Sequence, residues 1–469
     1  MTDFDYGALG AAAIARLVST GAVSARTVAE AALRRIEATE PTANAFIHLD
    51  LEGARAAADA VDAARAAGRP VGPLAGVPVS VKDLVHVAGQ PTSFGSKVFA
   101  GTPAPEDAVP VARLRAAGAV IVGKTTTPEF GHKAITESPL FGRTLNPWNR
   151  AYTSGGSSGG AGVSLACRQV PLAIGTDGGG SIRIPASVNG VFGLKATQGR
   201  IPHVHAPDLF GNNSFIGPMA RTAEDLRLMY AVMAGAEPRD PWSKVLPAEA
   251  PVEPRAGRIG FALLVGNPAI EPEVAAAVEA AVRALEGLGL TVEPVEIDLH
   301  RHEPHFRAHL ETVLAARFGS RLPADGPAFD PTFVQTVQQG LARSAVEVQS
   351  AVVARTELYR SIEALFGRID LLVTPTLAAA SVPADTDTHA DIMIAGRNCG
   401  RIRAGWYPYT FPFNLTGHPA LSLPCGWTSQ GLPVGLQLVG RWYEEERLLA
   451  TAELLEQALG VEVREPAER

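Results

Sequence analysis

Apolar positions recur at helical spacing through the first seventy residues, and short apolar runs bounded by glycine and proline take over after Val71. The run TVAEAALRRIEATEP opens with Thr27 three residues ahead of Glu30, a capping-box spacing, and closes before Pro41, which predicts an N-terminal helix. Helical patterning continues through LEGARAAADAVDAARAAG. Four later runs, LAGVPVSVKD, AVIVGKT, PLAIGTD and GVFGLK, predict strands, with helical segments such as AVPVARLRAAG between them. RIGFALLV, a helix from about Glu271 to Leu288, and TVEPVEI suggest a further βαβ unit. DLLVTPT, PALSLPCGW and VGLQLVG return to strand before a last helix in EEERLLATAELLEQAL.

This alternation predicts an α/β fold: a single large domain with a central twisted mixed β-sheet flanked by helices on both faces, with two domains as the alternative. Within 1–469 the expected divisions are a core over about 72–235, a proline- and alanine-rich connection over about 236–257, a helical region over about 300–368, and C-terminal strands and helix over 369–460. No internal repeat or low-complexity tract interrupts it.

Composition narrows the classes of function. With 46% hydrophobic residues in 469, the chain can bury a large core. A net charge of −7 gives no basic field, so nucleic acid and anionic membranes are not expected partners, and no uncharged apolar run reaches spanning length. The three cysteines, Cys167, Cys399 and Cys425, are odd in number and far apart, which argues for a reducing compartment and a cytoplasmic location. Lysine occurs six times among 41 basic residues, so a lysine inside a motif is less expected to be surface decoration.

Several motifs compete. GAVIVGKT, residues 118–125, fits the phosphate-loop pattern by letter, yet its middle is itself a strand and Pro128 follows, so nucleotide binding is not expected. HRHEPHFRAH, residues 300–309, misses a zinc-helix spacing by one and contains Pro304; a solvated helix edge is the simpler reading, and no metal or cofactor is expected. SGGSSGG, residues 154–160, contains two overlapping G-x-S-x-G matches, which raises an esterase-like nucleophile elbow at Ser157 or Ser158, although the preceding NPWNRAYT is turn-like. Ser181 lies 24 residues beyond Ser157 in GTDGGGSIRIP, and Lys82 ends a strand 75 residues before it. That lysine is either an ion-pair partner, with Asp83 the nearest candidate, or a base whose pKa burial has pulled down.

Taken together, GVPVSVKD, SGGSSGG and GTDGGGSIRIP resemble the amidase signature family, with further likeness in GKTTTPEF, NPWN, GVFGLKATQGRIP, GPMARTAEDL, NLTGHPALSLPCG and GLPVGLQLVG. The resemblance implies a Ser-cisSer-Lys triad of Ser181, Ser157 and Lys82, with a cis peptide bond at Ser157. It also implies an oxyanion hole from the amides of Gly178, Gly179, Gly180 and Ser181. These glycines can come close to a substrate because they carry no Cβ. Lys82 must be neutral to serve as base, which calls for burial and positive neighbours, including the helix dipole of GAGVSLAC. Asp177 and Arg183 are expected to pair across the turn in a structural role.

By position in the family, Gly131 and His132 become candidate substrate contacts, with a satisfied core or rim histidine as the alternative for His132. The aromatic run GWYPYTFPFN, residues 405–414, is either a pocket wall or, more commonly for such runs, core. The expected activity is hydrolysis of small neutral aryl or alkyl amides or carbamates (urethanes) through a seryl acyl-enzyme, with the substrate as partner and a homodimer as a further allowance. The alternatives are the amidase subunit of a glutamine-dependent amidotransferase, for which HAPDLFGNNSFIGPM departs from the expected run, and a non-catalytic binding module.

Overall fold

Strands rich in Val, Ile and Leu, hydrophobic without alternation, pair in parallel and are buried on both faces, as parallel sheets require. In the computed structural model, which describes residues 5–211, 213–245, 247, 253, 257–461 and 464–466, this is the arrangement of Pro78–Lys82, Val120–Thr125 and Leu172–Asp177. They sit near one end of an eleven-stranded mixed sheet. Its order is Phe46–Leu49, Val120–Thr125, Pro78–Lys82, Leu172–Asp177, Phe215–Ala220, Phe192–Lys195, Ala420–Trp427, Pro433–Gly440, Leu371–Pro375, Arg258–Phe261, Thr291–Pro294. Val79 lies opposite Leu172 and Lys82 opposite Thr125. Lys82 and Asp177 thus both finish parallel strands, and the crevice outside such carboxyl ends is where open α/β sheets bind ligands.

The predicted strands are present, and the expected βαβ unit is the parallel pair Arg258–Phe261 and Thr291–Pro294 joined by the helix Pro272–Gly287. Two strands of this sheet carried no readable signal: Phe46–Leu49 has four residues, and Phe215–Ala220 contains Pro218, which pairs with Ile174. The N-terminal helix departs from expectation at both ends. It is Ala25–Ala43, capped by the Ser24 side chain, which accepts from the Thr27 amide, so Thr27 lies inside the helix and forms no capping box. It also runs through Pro41 to the left-handed Asn44, whose amide donates to the Glu40 carbonyl at 2.9 Å; a proline so near the end sacrifices only one helical bond.

Residues 246, 248–252 and 254–256 of the expected connection lie outside the described residues. The region 300–368 is helical, with Glu303–Phe318, Pro331–Leu341 and Ala345–Phe366 as its long elements. The first packs against the other two and carries Phe306 onto Phe411, ring centroids 5.2 Å apart. That contact brings the 303–318 helix over the carboxyl ends of the parallel strands. The run 405–414 is core: Trp406, Tyr409, Phe411 and Phe413 are fully buried.

Candidate active site

Lys82 points from its strand end into the protein interior. Its side chain is fully buried, and its Nζ lies 2.7 Å from Ser157 Oγ, 2.9 Å from Ser158 Oγ and 2.8 Å from Thr176 Oγ1. Burial pushes the amine well below its ordinary pKa, against a smaller opposing pull from Asp177. The ion pair with Asp83, one of the two readings of this lysine, is not made. Asp83 instead sits 3.3 Å from Lys124 Nζ and accepts from the Ser93 hydroxyl, while Lys124 also donates to Thr92 Oγ1 at 3.0 Å. That binds the phosphate-loop lysine into a structural knot.

The Gly156–Ser157 peptide bond is cis, and the helix Gly159–Ala166 starts just after Ser158 with its amide end toward Lys82. Ser158 is spoken for: its hydroxyl donates to the Thr176 carbonyl at 3.1 Å and its amide donates to the Ser181 carbonyl at 3.1 Å. The loop that carries Ser181 is held from below by a buried ion pair. Arg183 Nη2 lies 2.9 Å from Asp177 Oδ1, and neither side chain is exposed. Burial alone would raise the Asp177 carboxyl; the Arg183 guanidinium overrides it and holds Asp177 well below the carboxylate range. Arg183 also donates to the Thr410 carbonyl, Gln437 Oε1 and Asn414 Oδ1, so the aromatic run anchors the loop and does not line it.

Within the glycine stretch the amides differ. The Gly180 amide donates to Asp177 Oδ1 at 2.6 Å, which corrects its expected place among free oxyanion donors. Thr410 Oγ1 holds the Gly179 carbonyl at 2.8 Å.

Ser157, Thr176, Gly178 and Ser181 open onto one cavity of about 180 Å³. Gly131 lines it as well, and a Cβ there would lie 2.8 Å from Leu84 and 3.1 Å from Ser157 Oγ, so only glycine lets the two loops approach. His132 lies outside the wall. It is buried, with Nδ1 on the Glu129 carbonyl at 2.7 Å and Nε2 on Thr332 Oγ1 at 2.8 Å, and burial pushes its pKa down. It is the satisfied histidine of the two alternatives.

Residues the sequence did not single out make up most of the wall. Phe94 and Phe130 both line the cavity with positive φ, 55° and 51°, a region costly for a bulky L-residue, and their rings stack 6.2 Å apart. Each precedes a left-handed glycine, Gly95 and Gly131, but Phe-Gly pairs recur throughout the sequence and gave no signal that singled these two out. The 303–318 helix adds Phe306, His309, Leu310, Val313 and Leu314. His309 therefore faces the cavity and not bulk solvent, unlike the expected helix edge. No group of three His, Cys, Asp or Glu residues is placed to hold a metal among the described residues. None of the described helices is long and apolar enough to cross a membrane.

A buried lysine in contact with a serine, beneath a glycine loop that carries a second serine, is an arrangement suited to acyl transfer. The chain belongs to the amidase signature family: the family model described as Amidase matches residues 27–449. It is 36% identical to the A-type component of glutamyl-tRNA(Gln) amidotransferase from Salinispora arenicola (strain CNS-205), across 97% of this chain and 98% of that one. Among solved structures it resembles a bacterial aryl acylamidase of the amidase signature family, with TM-score 0.89, 28% identity and 96% of each chain covered. It also resembles 6-aminohexanoate cyclic dimer hydrolase, with TM-score 0.85, 32% identity and 98% and 99% covered. The protein is accordingly an enzyme of the class that acts on C–N amide bonds.

Proposed function

We propose that the chain hydrolyses small neutral amides by acyl transfer through Ser181, with Ser157 relaying the proton to Lys82. The observation that carries this is the 2.7 Å contact between Lys82 Nζ and Ser157 Oγ in a fully buried setting. A neutral amine has two N–H groups and one lone pair. Ser158 has committed its proton to the Thr176 carbonyl, so its oxygen accepts from Lys82, and Thr176 Oγ1 accepts the second N–H. The lone pair is left for the Ser157 hydroxyl. Ser157 can then receive the Ser181 proton as it loses its own to Lys82, and return it to the leaving nitrogen when the tetrahedral intermediate collapses. The amides of Gly178, Gly179 and Ser181 are the donors for the oxyanion. Water completes the cycle by the same relay.

The wall of Leu84, Phe94, Phe130, Leu310 and Leu314 supports an aryl or alkyl acyl group, in an amide or a carbamate. The likeness to an aryl acylamidase agrees. A second reading, the amidase subunit of a glutamine-dependent amidotransferase working beside a partner chain, is favoured by the full-length similarity to the glutamyl-tRNA(Gln) amidotransferase component. The cavity also presents Asp208 and Arg317, charges that the ammonium and carboxylate of glutamine could use. Release of 4-nitroaniline from a simple anilide, a carbamate and a glutamine anilide with the aniline on the side-chain γ-carbonyl, by wild type and Ser181→Ala, separates the two. Turnover of either of the first two, lost in the variant, is the expected result. Turnover of the glutamine anilide alone would transfer the conclusion to the second reading.

A further inference from the structure

One buried polar group beside the nucleophile has no use in this chemistry. Asn213 is 7% exposed and lines the cavity, yet neither Oδ1 nor Nδ2 of its carboxamide has a hydrogen-bond partner among the described residues. Buried carboxamides are nearly always paired, because an unmet donor or acceptor forfeits its hydration with no return. Its backbone is well fixed. Asn414 Nδ2 donates to the Asn213 carbonyl at 3.2 Å and to the Asp177 carbonyl at 2.9 Å, which locks residue 213 alongside the loop that carries Ser181. The antiparallel register points the same way, since Phe215, two residues on, lies opposite Asp177. The backbone that carries the carboxamide is thus held beside the nucleophile loop.

His203 stands nearby with a similar deficit. It lines the same cavity, and with Ser214 it borders a second small recess. Its Nδ1 is buried without a partner, while its backbone amide is held by Asp240 Oδ2 at 3.0 Å. Burial, then the neighbouring His205 and His86, push its pKa down to about 4, so the ring is neutral at pH 7. A neutral carboxamide and a neutral imidazole do not select a formal charge. The group that meets an adjacent donor and acceptor at once is another amide, offering its C=O to Nδ2 and its N–H to Oδ1. A plain aryl or alkyl chain would cover both atoms and satisfy neither.

We propose that Asn213, with His203 beside its segment, forms a specificity subsite for a second neutral amide group, so that the preferred substrates are diamides and short oligoamides. This deepens the proposed function and rests on the same cavity being the substrate site. The test is binding to the Ser181→Ala protein, which separates recognition from turnover. Two matched pairs serve as probes. N-acetylglycine 4-nitroanilide against pentanoyl 4-nitroanilide places the extra amide on the acyl side. N-butyrylglycine N-methylamide against N-butylbutyramide places it on the amine side.

In one of the pairs the diamide binds about tenfold more tightly. Adding Asn213→Ala removes that factor, and Asn213→Asp, which keeps the shape but loses the donor, removes it as well. Equal binding within both pairs, or an advantage that survives either variant with a normal melt, overturns the subsite. Failure of the mechanism looks different: wild type would then show no Ser181-dependent hydrolysis while the diamide preference persisted.

Discussion

The loop Gly175–Pro185 and the helix Glu303–Phe318 face each other across one cavity and are built in opposite ways. In the loop the framework is tied down, Asp177 to Arg183 and the Gly180 amide, the Gly179 carbonyl to Thr410 and the Ser181 carbonyl to the Ser158 amide. In the helix the cavity is met by Phe306, His309, Leu310, Val313, Leu314 and Arg317, side chains at helical spacing on a regular backbone. Substitution in the loop therefore perturbs backbone and charge together, and substitution at the apolar positions of the helix changes shape. On the proposed mechanism the first carries the reacting groups and the second shapes the space beside them.

The largest expected effect breaks the loop side at its base. Lys82→Met should lower kcat by about three to four orders of magnitude, since it removes the proton acceptor while filling the same space. The same variant tests the buried amine by stability. Because the folded-state pKa of Lys82 lies well below its ordinary value, the unfolded chain binds a proton there that the native state refuses. Stability from this group rises with pH up to about 10.4, the unfolded value, and the penalty is greatest below the folded one. Melts from pH 6 to 10 should climb for wild type and climb less for Lys82→Met. In activity, kcat/KM should fall on acidification as Lys82 takes up a proton; a profile unchanged by pH would argue against a lysine base.

Next in size is Arg183→Leu, which leaves Asp177 as a buried charge and should cost about 3 to 5 kcal/mol by denaturant titration. The depressed Asp177 pKa adds a second signature. Its contribution is full above the ordinary carboxylate value and is lost as pH falls through the folded one, so wild type should outlast the variant least in acid. On the helix side, Leu310→Ala should reduce kcat/KM for a bulky aryl amide by about tenfold relative to a small one. An equal loss for both would mean that the helix does more than shape the cavity.

The same contrast explains what could be read before the structure. Lys82, Ser157 and Ser181 announce themselves because glycines and a strand end must occupy fixed places around them. The sheet was legible for the same reason: buried parallel strands such as Leu172–Asp177 are continuous apolar runs between glycine and proline. Leu310 or Val313, by contrast, obeys the same periodicity whether it faces a core or a cavity, and only the tertiary contact of Phe306 with Phe411 decides which. The Phe215–Ala220 strand stayed hidden behind Pro218, and the orphaned carboxamide of Asn213 is visible only once its neighbours are known. Lys82 offered Asp83 as a partner by adjacency, whereas Lys124 on the next strand claims it. Adjacent residues on a strand face opposite sides.

The finest expected difference lies between neighbouring glycines where loop and helix meet. A Cβ on Gly179 would lie 2.5 Å from Phe306 Cζ, and that ring, buried against Phe411, has little room to retreat. Gly179→Ala should therefore shift the loop and lower kcat/KM by about tenfold, and Phe306→Leu in the same chain should restore part of it, a non-additivity expected only for residues in contact. A Cβ on Gly178 meets nothing within 4 Å. Gly178→Ala should cost only a few-fold, and only through lost cavity space, so its effect should grow with the size of the acyl group. If Gly178→Ala were instead the more damaging of the two for a small acyl group, the loop would be limited by its own backbone freedom and not by the helix above it.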